Sequence, residues 1–337
     1  LGLGAASIQG LAWYTLIGMA VPVVLLIVVA MSKGLPLLDR PRFNDPAFTQ
    51  VLRLSAPIFV GSLFGQLYMI VDRSLASGLD AGSMASLNFA NKLVQLPVGI
   101  FVTALATAVY PTLAEYAARG DKRSFAEAVS SSIRGLALLM IPAAVGLYVL
   151  RYPIVRLAFE RGSFDATATA KTAVALGYYA VGLLGLSAAQ VLARAFYALQ
   201  DTATPVKIGI ATALVNIVLA VMLVGPLNHG GLALANSLGF LFNAGVLLYI
   251  LRTKVEKGAL SITPVLTKGT VAALVMGLVS SVVLRQSAAL GQVVSLGAAV
   301  SAGLVVYAVA LVMLKVDEVW LAINVVQRKM GIRIIKR

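Results

Sequence analysis

The chain reads as an all-α polytopic transmembrane bundle of about nine helices, and three observations carry that reading. It is 60% hydrophobic and only 12% charged, with a mean hydropathy of +0.93, a balance that soluble domains do not show. Its apolar residues gather in stretches as long as the ~20 residues a helix needs to cross a bilayer. Its Lys and Arg collect in short loops between alternate stretches, the pattern that cytoplasmic loops follow.

The first stretch, 11–31, opens amid apolar sequence and ends at Lys33, Arg40 and Arg42. Leu1 is preceded by neither Met nor a charged segment, so the start resembles neither a signal peptide nor a natural N-terminus and the chain is expected to be a fragment. Stretches 48–79 and 83–116 flank a short turn, and Arg119, Lys122 and Arg123 precede the fourth, 125–150. Segment 152–164 combines Ile154, Val155, Leu157, Ala158 and Phe159 with Arg151, Arg156 and Arg161, the composition of a short interfacial helix with a basic face. It falls on the outer side, against the charge rule, and either meets an anionic lipid or substrate or is a solvated loop. Stretches 167–199, 205–224, 231–251, 265–284 and 293–314 complete the set. Lys207, then Arg252, Lys254, Lys257 and Lys268, then the tail Arg328, Lys329, Arg333, Lys336 and Arg337 are expected on the cytoplasmic side, whereas the opposing turns at 77–83, 226–231 and 285–292 hold only Arg285.

Several functional classes drop out. The net charge of +14 is accounted for by these loops, so it does not point to nucleic acid. With no cysteine and a single histidine, His229, the chain has no disulfide, no thiolate site and no imidazole cluster. A membrane enzyme acting on polyprenyl phosphates needs paired acids or a His/Asp set at the interface, and the acids here are dispersed.

What remains is a stretch that should be greasy and is not. Residues 63–113 carry Asp72, Arg73, Asn88, Asn91, Lys92 and Gln95 at membrane depth. A charge near the bilayer centre costs about 2.5–3.5 kcal/mol by insertion scales, so such residues face a bundle interior or a water-filled cavity and mark the path of something polar. Lys92 lies about 13 Å inside its helix at 1.5 Å per residue, too deep to reach the surface easily by snorkelling. Proline at 22, 57, 97 and 142 marks potential bends, and Gly61 and Gly65 form a small-xxx-small pair read as close packing.

Residues 87–111 (LNFANKLVQLPVGIFVTALATAVYP), 159–165 (FERGSFD) and above all 194–207 (RAFYALQDTATPVK) resemble the MurJ/MviN lipid II flippase family of the multidrug/oligosaccharidyl-lipid/polysaccharide exporter superfamily. The resemblance runs over essentially the whole chain. It implies the last helix of a first lobe and a cytoplasmic linker at 1–46, a complete second six-helix lobe at 47–258, an additional helix pair at 259–316 and a basic cytoplasmic tail at 317–337. It further implies a transporter rather than an enzyme, in the bacterial inner membrane, turning undecaprenyl-pyrophosphate-linked disaccharide-pentapeptide, lipid II, from the inner to the outer leaflet by alternating access. Its partners would be that glycolipid and membrane lipids, with no nucleic acid. An exporter of another undecaprenyl-linked oligosaccharide and a non-transporting membrane fragment stand as alternatives.

A pyrophosphate head group needs cations inside the bundle while its tail stays in lipid. Lys92 is the strongest candidate, where the family commonly has arginine, and it either contacts substrate or neutralises Asp72. Asn88, Asn91 and Gln95 are candidate hydrogen-bonding partners of sugar or phosphate, or else inter-helix glue. Asp72, Asn216, Asn236 and a main-chain carbonyl near Leu232 would make an oxygen-only cage suited to Na⁺, although a further carboxylate of the family's arrangement is here Ala220. No other cofactor is implied. The last two helices either line the polyprenyl groove or simply meet lipid.

Overall fold

In the computed structural model, residues 8–34, 46–255, 260–316 and 318 are described; Arg40, Arg42, Lys257 and the basic tail lie outside them. The chain divides into two compact units, Leu1–Arg53 and Leu54–Arg337. In the first, α1 (Ile8–Ser32) has no charged residue, as a helix surrounded by lipid requires.

The second unit takes up most of α2 (Pro46–Ser77) and continues with α3 (Ser83–Pro97), a π-turn at Val98–Val102, and α4 (Thr103–Ala118). Next come α5 (Lys122–Val149), the short α6 (Arg151–Phe159), α7 (Ala166–Val181) and α8 (Leu183–Ala198). The hairpin α9 (Ala203–Leu227) and α10 (His229–Lys254) follows, then the hairpin α11 (Thr263–Gln286) and α12 (Gln292–Met313). Among the described residues, seven helices or helix runs have the length and hydropathy to cross a membrane, and up to eight if the bent α7–α8 pair is one span. α2, with 32 residues, has the length as well.

Two expected continuous helices are broken, each for a local reason. Pro97 has no N–H to give to the carbonyl four residues back, and the chain widens into the π-turn, where Thr103 N–H reaches Val98 O. α7 and α8 bend by 46° at Gly182, where a Cβ would lie 2.5 Å from Ser237 Cα of α10. By contrast Pro22 and Pro142 sit inside unbroken helices. Of the paired glycines on α2, Gly61 packs on Val206 while Gly65 has nothing within 4 Å, so close packing explains only the first.

Glycine brings backbones together elsewhere. A Cβ on Gly231 would fall 2.1 Å from the Leu223 carbonyl oxygen, and one on Gly185 would fall 2.7 Å from Leu241 N. These contacts seat α10 against α9 and α8, the close approach by which membrane helices gain van der Waals energy. α11 and α12 pack on α5 through Ala137, Ile141, Ala272, Met276 and Tyr307, and the Tyr307 hydroxyl donates to Leu138 O at 2.9 Å.

Side-chain contacts sort the loops by end. Lys254 pairs with Asp201 at 2.5 Å, Arg134 pairs with Glu318 at 2.6 Å and donates to Ser261 O, and Lys268 donates to Lys315 O. At the opposite end, Lys171 donates to Ala81 O, Asn228 to Asp80, and Gln292 to Pro153 O. Asp201, Lys254, Ser261, Lys268, Lys315 and Glu318 thus share one end, and α6 with its arginines lies at the other. We expect a cysteine introduced at Lys122 of this Cys-free chain to resist an impermeant maleimide in intact cells and one at Ser163 to react. Labelling of both, or of Lys122 alone, would overturn this orientation.

Candidate functional site

α3 has two faces. Leu87, Ala90, Leu93 and Val94 are buried against the core, whereas Asn88, Lys92 and Gln95, at i, i+4 and i+7, form an exposed polar stripe. Asn91 flanks that stripe on the α7 side, half-buried and hydrogen-bonded to the Tyr179 hydroxyl. The four polar residues anticipated on this helix therefore separate: three face outward together and one takes part in helix packing.

Lys92 makes no ion pair among the described residues, with Asp72 or any other acid. Its Nζ lies 5.3 Å from the centroid of the Phe89 ring, a cation–π contact. Phe89 is itself held by Phe159 at 4.8 Å and by Phe164, edge-on, at 5.2 Å. Both buttressing rings come from the FERGSFD segment. Sequence reasoning missed this support, whose only signal was Phe89 one helical turn before the lysine. The remaining polar groups of the segment hold its shape: Glu160 accepts from Thr169 Oγ1 at 2.7 Å and from Arg156 Nε at 3.2 Å, and Asp165 accepts from Ala168 N to cap α7.

The RAFYALQDTATPVK block also does structural work. Gln200 turns the chain with φ +57°, and Asp201 accepts from Thr204 N and Oγ1 at the start of α9 and from Lys254 at the end of α10. Partial burial raises the Asp201 pKa, but the bonds from Lys254 and Thr204 outweigh it and pull it down to about 2. The loop is thereby locked as a three-helix clasp.

A second polar group spans α2, α9 and α10. Asn236 Nδ2 donates to the Tyr68 hydroxyl at 2.8 Å, and Asp72 lies one turn beyond Tyr68 on α2. Asn216 is 4% exposed and packs directly on the Cα side of Gly239, one turn from Asn236. Leu232 is buried one turn before Asn236, and Ala220 is buried one turn after Asn216. The oxygens Asn216 Oδ1 and Asn236 Oδ1 are both buried without a hydrogen-bond donor. An unsatisfied buried amide oxygen costs about 1–3 kcal/mol, and these two, on α9 and α10, are of the oxygen type that a hard cation takes as ligands.

Residues 2–316 match the family model described as lipid II flippase MurJ. The chain is 32% identical over 245 residues to the probable lipid II flippase MurJ of Bdellovibrio bacteriovorus, covering 72% of this chain and 47% of that protein. It is 33% identical over 212 residues to the probable lipid II flippase MurJ of Vibrio cholerae, covering 62% and 40%. A solved structure of lipid II flippase MurJ in an inward closed conformation superposes with a TM-score of 0.66 at 24% identity, over 82% of this chain and 57% of that one, and shares its helical fold. The chain spans about half the length of the curated relatives it matches. With its helical architecture and a family match over nearly its whole length, this multi-pass membrane chain belongs to the lipid II flippase MurJ family.

Proposed function

We propose that this chain forms the second lobe and the additional helix pair of a lipid II flippase, one wall of a hydrated cavity through which undecaprenyl-pyrophosphate-linked disaccharide-pentapeptide passes from the inner to the outer leaflet of the bacterial inner membrane. The observation that carries the reading is the exposed stripe Asn88–Lys92–Gln95 on a membrane-length run of helix. An unpaired ammonium and two amides do not face hydrocarbon at that depth. They require water or a polar ligand opposite, hence a facing wall. Lys92 then serves as the cation for the pyrophosphate, oriented by Phe89, while Asn88 and Gln95 offer donors and acceptors to sugar or phosphate. Asn91 contributes from the packed side of the helix. Alternating access follows from the rocking of this wall against its counterpart, the mode by which two-body transporters expose a central site to each side in turn.

The seam of Asn216, Asn236, the main chain near Leu232 and the neighbouring Asp72 is the place for Na⁺. A bound cation there supplies fixed positive charge between α9 and α10, and the two amide oxygens without donors support it.

Cargo binding tests the proposal. Full-length protein in detergent, offered lipid II and an undecaprenyl-pyrophosphate bearing an unrelated glycan, should retain lipid II preferentially in native mass spectra, with retention lowered at least tenfold by Lys92→Gln. Equal retention of both glycolipids would favour a general exporter, and retention of neither would overturn the reading.

A further inference from the structure

α5, α7 and α11 enclose an apolar groove of about 530 Å³, lined by Val145, Val149, Val181, Leu274 and Leu278 and open to the outside of the bundle, where Leu278 is 69% exposed. An open apolar groove on a membrane protein is by itself only a lipid contact. This one ends on a built polar fixture. Tyr148 lines the groove and also a smaller cavity of about 140 Å³ shared with Arg151, Val174, Gly177 and Tyr178.

Arg151 is set in place from three directions. Its Nη1 donates to Tyr148 O at 2.7 Å, its guanidinium lies 4.7 Å over the Tyr148 ring, and its Cδ lies where only Gly177 leaves room, 3.0 Å from the position of an added Cβ. Arg151 has no ion pair among the described residues, and a guanidinium has five N–H donors, so most remain for a ligand. The residue stands at the junction of α5 and α6, the end of a span, where Tyr and Arg meet lipid head groups.

We infer that this groove and Arg151 bind a phospholipid of one leaflet, with an acyl chain along α11 and the phosphodiester on the guanidinium. Dimensions select this occupant over a polyprenyl carrier. The α11 wall runs from Leu274 to Ser281, about 10 Å at 1.5 Å per residue, within the ~15 Å half-thickness of the hydrocarbon core. That length suits part of a fatty acyl chain and leaves most of an undecaprenyl chain unheld. The planar donor fork suits the phosphodiester of any phospholipid, and the charge of Arg151, uncompensated among the described residues, favours an anionic lipid, whose phosphate carries no ammonium of its own head group beside it. The site is independent of the cargo assigned to Lys92.

Thermal unfolding of the delipidated full-length protein tests it, because a ligand that binds only the folded form raises Tm. Phosphatidylglycerol should raise the Tm of the wild type by several degrees. Arg151→Gln should lose at least half of that rise, down to what phosphatidylcholine gives. Leu278→Trp fills the groove from an exposed position without disturbing the core, and should abolish the rise for both lipids. Gly177→Ala should reproduce the Arg151→Gln result by displacing the arginine. Equal rises in wild type, Arg151→Gln and Leu278→Trp would reduce the effect to general lipid contact and overturn the site. Greater stabilisation by undecaprenyl phosphate than by phosphatidylglycerol would overturn the choice of occupant. Lipid II retention by Arg151→Gln should be unchanged, which separates this site from the cargo reading.

Discussion

Lys92→Ala is expected to abolish complementation of a flippase-depleted cell by the full-length protein, while the protein still accumulates in the membrane. The lysine is exposed on α3, makes no ion pair among the described residues and lies over the ring of half-buried Phe89, so its removal takes away charge without opening a cavity in the core. Lys92→Arg should retain or improve growth, because guanidinium keeps the charge and adds the bidentate geometry that phosphate accepts. Lys92→Gln preserves length and hydrogen bonding and should fail. Growth on Lys92→Gln would remove the electrostatic role. Phe159→Leu is an informative partner: with a buttress of Phe89 gone, activity should fall partially and the protein should remain folded.

The largest loss of stability is expected at Gly231. Alanine there would place a methyl group 2.1 Å from the Leu223 carbonyl oxygen and 2.5 Å from its carbon, both backbone atoms of the paired helix, so no rotamer change relieves it. Overpacking of this kind costs on the order of 3 kcal/mol, more than the ~1 kcal/mol that alanine gains over glycine in a helix. Gly245→Ala on the same helix has open space around it and should keep only the gain. Melting both variants in detergent gives opposite signs if the α9–α10 contact is as close as described. An unchanged Tm for Gly231→Ala would mean that the two helices separate freely.

Much of this was legible in the residues. Each apolar stretch anticipated within the described residues is a helix or a broken pair of helices, because length and hydropathy alone decide which segments fill a bilayer. The alternation of Lys and Arg anticipated which loops share an end. The breaks were less legible. Pro22, Pro97 and Pro142 look alike in sequence, yet only Pro97 is followed by a widened turn, and the sharp bend falls instead at Gly182, where the backbone of α10 presses in. The polar residues of α3 were found, but their division was not: whether Asn91 or Asn88 faces the core depends on which side α7 occupies. The aromatic support of Lys92 joins residues far apart in the chain, a pairing that no local pattern encodes. The most distinctive sequence block, around Asp201, forms a clasp between helices, a role that its composition did not announce.

The π-turn at Val98–Val102 has a consequence for how this chain tolerates change. Each residue of a regular helix advances by about 100°, so the outward line through Asn88, Lys92, Gln95 and Gly99 would run on to Val102 and Ala106. Those two are instead 0% and 2% exposed, and the line passes to Thr103 and Thr107. The wide turn works as a phase corrector, slipping the screw by one residue so that α3 can present one side to the outside while α4 presents another register to α5 and α8. Substitutions along this run act one side chain at a time. A single-residue deletion between 98 and 102 would close the wide turn into a regular helix and leave Thr103 and Thr107 on the outward line, whereas a second deletion, or an insertion, would turn the whole of α4 by about 100° relative to Lys92, so the length of this segment is a more stringent requirement than its composition.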